Sequence, residues 1–270
     1  EVTIKDTAEQ LRRCFTKAQQ ASGNKMKKMA TLHIVNHLFK LYFKINERFL
    51  CKPLVKAVHS PVFLSFEQFS VAQRVTYKYY VGQLAIFDDN YQQAEADLTY
   101  AWTHCHRRHV PNLKRILTYL VPVQLLIGKI PTDSLLLQYE LNDYRGIVSS
   151  FRSGNIQQLN GILQANQRKH IKMGTFLVLE KLKIGTYRNL LKKVALIHKQ
   201  REPAKGNQVK IVLFQQALSW LGEDLDLDEV ECIVANLIYK KYVKGYLSHS
   251  QRTLVLSKQQ PFPPLSAVQA

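Results

Sequence analysis

The sequence predicts an all-α chain in which tetratricopeptide-like helical repeats are followed by a C-terminal winged helix. Proline and glycine are sparse inside the segments with helical periodicity, and alternation typical of β-strands is absent before about residue 244. The last helices are then followed by a short two-stranded hairpin, as in a winged helix. With 46% hydrophobic residues among 270, the chain has enough apolar material for a core.

The N-terminal part is predicted to begin with two helices, Thr7–Gln20 and Met29–Phe49. Apolar residues of the second helix recur at spacings of three and four, as one buried helix face requires. These residues are Leu32, Val35, Phe39, Tyr42 and Phe43. Residues 59–70 are expected to form a loop.

The segment 71–106 resembles a tetratricopeptide-like helical hairpin. Two helices, Val71–Phe87 and Tyr91–His106, are separated by an Asp-Asp-Asn turn at 88–90. The small and apolar residues that would let the helices cross closely are Gly82, Ala94, Leu98 and Ala101. Lys78 occupies the position of the Trp that opens the usual pattern, so a generic pair of antiparallel helices remains an alternative.

Further helical segments are expected to continue the repeats, each burying one face on its neighbours. Pro122 is expected to kink the first of them. The predicted segments are Leu113–Ile127, Leu135–Tyr139, Asp143–Phe151, Ile156–Gln167 and Ile171–Leu182.

The last part of the chain has the element order of a winged helix. The predicted helices are Thr186–Lys199, Val209–Leu221 and Asp228–Lys240, and the predicted strands are 244–248 and 253–257. We therefore expect a helical-repeat region at 1–185, a winged helix at 186–260 and an extended, proline-rich tail at 261–270.

The composition bears on partners and on the class of protein. Lys and Arg number 38 against 20 Asp and Glu, a formal net charge of +18. This excess admits nucleic acid, an acidic protein or an anionic membrane surface as partners. No membrane partner is expected, because no basic amphipathic helix also carries an exposed face rich in Trp and Phe. No run reaches ~18 uncharged apolar residues, so no membrane span is expected. No signal peptide is recognisable at the start of the sequence. The sequence contains no nucleotide-binding, hydrolase or metalloprotease motif, and we therefore expect a protein that is not an enzyme.

The cysteines and histidines predict neither disulfides nor a metal or other cofactor. Cys14, Cys51, Cys105 and Cys232 are far apart and form no CxxC pair, which favours a reducing compartment. His104, Cys105, His106 and His109 cluster near a predicted helix end. Only Cys105 and His109 share a helix face, whereas a structural zinc needs four converging ligands.

Several motifs make the chain similar to subunits that carry a PCI domain. They are YKYYVG (77–82), HCH (104–106), LEKLK (179–183), TYRNL (186–190), DEVECIVANLIY (228–239), VKGY (243–246) and PFPPL (261–265). The closing motifs most resemble the non-scaffold PCI subunit of the second transcription-export complex, which acts in mRNA export. PCI domains combine helical repeats with a winged helix.

The resemblance implies partners and a location. These are a PCI-containing scaffold subunit of the germinal-centre-associated nuclear protein type, a small acidic stabilising protein, and RNA or DNA. It also implies a nuclear protein at or near the nuclear pore, with some cytoplasmic pool. The alternative is a pure protein-interaction PCI subunit of a signalosome- or proteasome-lid-like assembly, whose basic charge binds an acidic partner.

The charge pattern supports a phosphate-binding surface independently of that resemblance. Glu202 is the lone acid between 181 and 222, and Arg188, Lys192 and Lys199 are spaced to form a stripe on one helix face. A solvated basic face is the alternative. The candidate nucleic-acid-binding residues are Lys181, Lys183, Arg188, Lys192, Lys193, Lys199, Arg201, Lys244, Arg252 and Lys258.

The helix Asp228–Lys240 is expected to contact the scaffold partner. Acids crowd 223–231, where a base-reading helix would enter a major groove, so sequence-specific duplex reading is not expected. The outward residues of this helix are expected to include Glu229 and Glu231. The candidate partner-interface residues are Cys232, Ala235, Asn236, Tyr239, Tyr242 and Tyr246. The alternative is that these residues are exposed without a role.

Overall fold

The computed structural model, which describes residues 2–21 and 24–268, confirms helical repeats followed by a winged helix. The chain divides into two compact units, Glu1–Leu120 and Val121–Ala270. The first unit contains α1 (Val2–Gln20), α2 (Lys25–Met29), α3 (Thr31–Lys44), α4 (Cys51–Val58), α5 (Val71–Phe87), α6 (Tyr91–His104) and the first part of α7 (Val110–Ile127).

The second unit begins within α7 and contains the remaining helices and all three described strands. The helices are α8 (Asp133–Gln138), α9 (Asn142–Ser153), α10 (Ile156–Ala165), α11 (Gln167–Met173), α12 (Phe176–Arg201), α13 (Ile211–Trp220) and α14 (Leu227–Tyr239). The strands are β1 (Gln208–Lys210), β2 (Gly245–Ser248) and β3 (Thr253–Leu256).

The first unit departs from the sequence prediction between residues 29 and 58. The predicted helix Met29–Phe49 is interrupted at Ala30 and ends at Lys44, and Asn46 then takes a left-handed backbone conformation with φ 59°. Helix α4 was not predicted. Its Pro53 lies in the first turn, where the missing N–H costs no helical hydrogen bond.

The helical hairpin at 71–106 is built as its small residues predict. A Cβ atom on Gly82 would lie 2.7 Å from Leu98 Cγ, so α5 and α6 approach too closely there for a larger residue. Lys78, which replaces the expected Trp, donates to the buried Asp97 carboxylate at 2.6 Å. Gln93 donates to the other oxygen of Asp97 at 2.9 Å. The hairpin therefore contains a polar contact where the usual repeat has an aromatic one.

Helix α12 is continuous where the sequence predicted two helices, Ile171–Leu182 and Thr186–Lys199. Gly185, near the expected break, lies inside the helix. A Cβ atom there would lie 2.5 Å from Phe151 Cε2 of α9. The glycine therefore provides space for the Phe151 ring and does not end a helix.

Substitution of Gly185 by alanine is expected to lower the free energy of unfolding by about 1–3 kcal/mol, because the fully buried Phe151 ring must move. Gly161, within α10, has no atom within 4 Å of the added Cβ. Gly161→Ala is therefore expected to stabilise the chain by up to about 1 kcal/mol through helix propensity. Urea unfolding of both variants tests the pair. Equal stabilisation by both would contradict the packing role of Gly185.

The winged helix contains one strand more than the sequence predicted. The sheet order is β1-β3-β2 and both pairings are antiparallel, with Val209 opposite Leu254 and Tyr246 opposite Val255. The predicted hairpin corresponds to β2 and β3. Strand β1 has a single buried side chain, Val209, and therefore too little alternation to be recognised.

The segment that follows β3 packs back onto the winged helix, and we call residues 259–264 the strap. The Lys244 N–H donates to Pro261 O at 2.8 Å, and Arg188 Nη2 donates to Pro263 O at 2.7 Å. A 3₁₀ turn at Leu265–Ala267 follows. The tail was predicted to be extended to residue 270. The turn departs from that prediction, and residues 269 and 270 lie outside the described part.

Candidate functional site

Three of the predicted lysines line one cleft in the second unit, which we call the basic cleft. It has a volume of about 430 Å³ and lies between the end of α12, the loop after it, the end of β3 and the strap. Lys192 and Lys199 come from α12, and Lys258 follows β3. No Asp or Glu among the described residues lines it. The structure thus brings together charges that lie far apart in the sequence.

The ammonium groups of these lysines are available to a ligand. Within the described ranges, Lys192, Lys199 and Lys258 have no hydrogen-bond or ion-pair partner, and all three are exposed. Leu196, Pro203 and Phe262 contribute apolar surface to the same cleft. A site of this kind offers unneutralised positive charge beside an apolar wall, which suits a phosphate attached to a flat, weakly polar group.

Arg188 was expected to belong to the charged stripe and does not. It is only 7% exposed, and its guanidinium donates to Pro263 O and to Asn189 Oδ1, the latter at 2.8 Å. Burial lowers the pKa of Arg188. The prediction of a charged stripe failed at Arg188 because helix spacing predicts only the direction of a side chain. It does not predict that the strap, a distant segment of the chain, covers that side chain.

Two of the other predicted cations are paired with nearby acids. Lys183 pairs with Glu180 at 2.7 Å on the same helix, and Arg252 pairs with Asp228 at 3.0 Å. Lys181 lies near Tyr242, whereas Arg201 and Lys244 have exposed side chains outside the basic cleft. Lys183 and Arg252 therefore contribute less free positive charge than the cleft lysines, whereas Arg201 and Lys244 differ from them in lying outside the cleft.

Lys193 lies on a second cleft of about 450 Å³, formed by α8, α9 and α12. Its Nζ donates to Ser153 O at 2.8 Å. Arg145 and Arg152 line the same cleft, and neither was a sequence candidate. Arg145 makes a two-pronged contact with Asp133, at 2.7 and 2.9 Å. Adjacent lysines on α12 thus face different clefts, as a rotation of about 100° per residue requires.

The outer face of α14 carries most of the predicted partner residues. Cys232, Ala235, Asn236 and Tyr239 are exposed and share one face at helical spacing, and Tyr239 is 85% exposed. Tyr246 of β2 is also exposed. Trp220 at the end of α13 is 86% exposed and was missed, although helical spacing places it opposite the buried residues Ile211, Phe214 and Leu218.

Glu231, which was expected to face outward, and Tyr242, a candidate interface residue, are both buried. Tyr242 is covered, and burial raises its pKa. Glu231 is buried and accepts a hydrogen bond from His249 Nδ1 at 2.6 Å. Both expectations were wrong, because His249 of the turn between β2 and β3 contacts Glu231, and Tyr242 lies beside Lys181 and Arg188 of α12.

The acids at the start of α14 have structural contacts. Asp226 caps the helix, accepting from Glu229 N at 2.7 Å, while Glu229 accepts from Asp226 N at 2.9 Å. Asp228 contacts Arg252, and Glu223 accepts from Asn160 at 2.9 Å. Carboxylates remain concentrated at this helix end, which disfavours approach of a phosphate backbone.

The histidine and cysteine cluster lies at and beyond the end of α6. His104 stacks on Tyr100 and its Nδ1 lies 3.0 Å from Tyr100 O, while Cys105 is buried. Across residues 2–21 and 24–268, no three His, Cys, Asp or Glu side chains are grouped as metal ligands would be. None of the described helices has the length and apolarity of a membrane span.

Comparison with known proteins gives matches over nearly the whole chain. The family model for the PCI domain matches residues 163–258. The chain is 45% identical to PCI domain-containing protein 2 of Danio rerio and 44% identical to that of Xenopus laevis, over 98% of its own length in each case. It is 34% identical to the Protein CSN12 homolog of Gibberella zeae over 97% of its length. The chain spans 65%, 65% and 62% of these relatives, respectively.

Proposed function

The chain belongs to the PCI domain-containing protein 2 family, and we propose that it is a non-catalytic, protein-interacting subunit of an mRNA-export complex. Its winged helix pairs with a PCI-containing scaffold subunit of the germinal-centre-associated nuclear protein type. A small acidic protein stabilises the pair. The assembly works in the nucleus, at or near the pore, with some protein in the cytoplasm.

We further propose that the chain binds RNA or DNA through phosphates, and the basic cleft carries this proposal. Three unpaired lysines with no acid beside them attract a polyanion and release its counterions on binding. These three charges converge on one concave site, which supports binding over the alternative of a uniformly solvated face.

We assign the outer face of α14 to the scaffold subunit. Its exposed residues are small or aromatic, and its acidic start would repel phosphates. This division leaves nucleic acid on the cleft side and protein on the α14 side of the winged helix.

The binding of a labelled single-stranded oligonucleotide across several salt concentrations tests the nucleic-acid role. The variant Lys192→Glu/Lys199→Glu is expected to bind more weakly and to show a shallower salt slope. Loss of two phosphate contacts lowers the slope by about 1.4, at ~0.7 per contact for a single strand. The control, Lys172→Glu/Lys210→Glu, changes net charge equally at exposed lysines outside both clefts, and should retain the wild-type slope.

Equal loss in both double variants would mean that net charge, and not the cleft, determines binding. If the wild-type chain bound no oligonucleotide but bound an acidic peptide, the nucleic-acid role would be wrong. The alternative, a pure protein-interaction subunit with an acidic partner, would replace it. The cleft beside Lys193 does not favour that second candidate, because Asp133 in its lining already accepts both donors of Arg145.

A further inference from the structure

We propose that the basic cleft is a subsite for one nucleotide unit of a single strand, with its phosphate on the lysines and its base against Phe262. The inference rests on the proposed nucleic-acid binding and specifies the form of the ligand. RNA and DNA share this chemistry, so both are included as probes.

The size of the cleft favours a single nucleotide over a duplex. A volume of about 430 Å³ lies near the lower end of the ~300–1,000 Å³ typical of small-ligand pockets. Bases in a duplex are stacked and paired inside the helix, whereas those of a single strand can turn out onto a protein side chain. Only an unpaired nucleotide can place both its base and its phosphate in such a cleft.

The lining of the cleft is divided into charged and apolar parts. Lys192 and Lys199 lie two turns apart on α12, about 10 Å along the axis, and Leu196 lies between them. Lys258 faces the cleft from the end of β3, and Phe262 from the strap. A phosphate between the lysines and a base on the aromatic ring would satisfy both parts of the lining.

The strap holds Phe262 in place before any ligand arrives. The carbonyl of the preceding residue, Pro261, accepts from Lys244 N, and that of the following residue, Pro263, accepts from Arg188 Nη2. The Arg188 guanidinium carbon also lies 5.8 Å from the centroid of the Phe262 ring. Because both neighbours are fixed, ordering the ring on binding costs little entropy. Arg188 is therefore a positioning residue for this subsite.

The test compares the affinities of the chain for oligo(U), oligo(dT) and a duplex, all of the same length. A length of about ten nucleotides lies within the ~4–16 nucleotides that single-strand-binding folds cover. Phe262→Leu is expected to weaken binding of both single strands about fivefold or more, while leaving duplex binding unchanged. Phe262→Tyr keeps a stacking ring and should retain affinity. Phe49→Leu makes the same substitution at an exposed phenylalanine outside the cleft and should have no effect.

A second readout is independent of affinity. Ultraviolet irradiation of the wild-type chain with oligo(U) is expected to crosslink the tryptic peptide that follows Lys258, and the Phe262→Leu variant should lose that crosslink. Excess unlabelled single strand should compete for it, and duplex should not.

The outcomes separate this inference from the function on which it rests. If Lys192→Glu/Lys199→Glu weakens single-strand binding and Phe262→Leu does not, the subsite is refuted while phosphate binding stands. Equal weakening of single-strand and duplex binding by Phe262→Leu would also refute it, since a disturbed strap would explain that result. If the wild-type chain binds no nucleic acid, both proposals fail.

Discussion

Replacement of Lys78 by leucine is expected to lower the free energy of unfolding by about 3 kcal/mol or more. The Asp97 side chain is only 2% exposed and depends on Lys78 Nζ at 2.6 Å and Gln93 Nε2 at 2.9 Å. Removal of the ammonium group leaves a buried carboxylate with a single neutral donor, and such a charge is costly in a poorly hydrated site. Lys78 is partly exposed, so water relieves some of this cost and the expected value lies at the lower end of the usual ~3–5 kcal/mol range.

Urea unfolding followed by circular dichroism measures the effect, and the chain offers a matched control. Lys52 and Asp88 form an ion pair of similar length, 2.8 Å, with both side chains exposed. Lys52→Leu is expected to change stability by less than about 1 kcal/mol, because exposed pairs contribute little. The double variant Lys78→Leu/Asp97→Leu should recover most of the loss, since no buried charge remains. Equal effects of Lys78→Leu and Lys52→Leu would contradict this account.

The spacing of apolar and small residues within a segment was sufficient to predict helices and strands whose formation depends on contacts within that segment or with its neighbour in sequence. The apolar spacing of 228–240 gave α14 to within one residue at each end, because the buried residues Val230, Val234 and Leu237 lie on one helix face. Gly82 indicated the close crossing of α5 and α6 correctly. The wing strands followed from their alternation and the polar turn between them.

Contacts between distant segments account for the errors in the fold. The sequence predicted two helices, Ile171–Leu182 and Thr186–Lys199, but Gly185 lies inside one continuous helix, where it leaves space for the ring of Phe151 on another helix. Strand β1 forms because it pairs with β3, and a segment of three residues is too short for its sequence to predict that pairing. Arg188 is buried by the strap, and Tyr242 lies beside Lys181 and Arg188 of α12, so periodicity within their own segments could not have revealed the burial of either residue.

The candidate site was predictable in its charges but not in its shape. Helix spacing placed Lys192 and Lys199 on one face, and the wing supplied Lys258. The cleft itself depends on the strap, whose position follows from hydrogen bonds to Lys244 N and Arg188. Phe262 was visible in the sequence only as part of a proline-rich motif, and its place beside the lysines needed the folded chain.

Substitutions on α14 are expected to separate the proposed protein interface from the proposed nucleic-acid site. Ala235→Arg places a long charged side chain at the centre of the exposed face, where a tightly packed partner would have to exclude it. Tyr239→Ala removes the largest exposed ring of that helix. If Tyr239 is a central contact, its truncation costs about 2 kcal/mol or more, which corresponds to a decrease in affinity of about 30-fold.

Copurification of each variant with the coexpressed scaffold subunit measures this effect. Both residues are exposed, so circular dichroism of the variants should match the wild type, and oligonucleotide binding should be retained. Lys192→Glu/Lys199→Glu should show the reverse result, losing oligonucleotide and keeping the scaffold. Glu231 is unsuitable for such a test, because it is buried against His249 and its substitution would disturb the wing.

The opposite result would identify a different surface. If Ala235→Arg and Tyr239→Ala retained the scaffold while Trp220→Ala lost it, the partner would contact the end of α13, where that indole is 86% exposed. If the lysine variant also lost the scaffold, nucleic acid and partner would share one surface, and the division of the winged helix into two faces would be wrong. Loss of scaffold binding in the α14 variants alone is the result that this division requires.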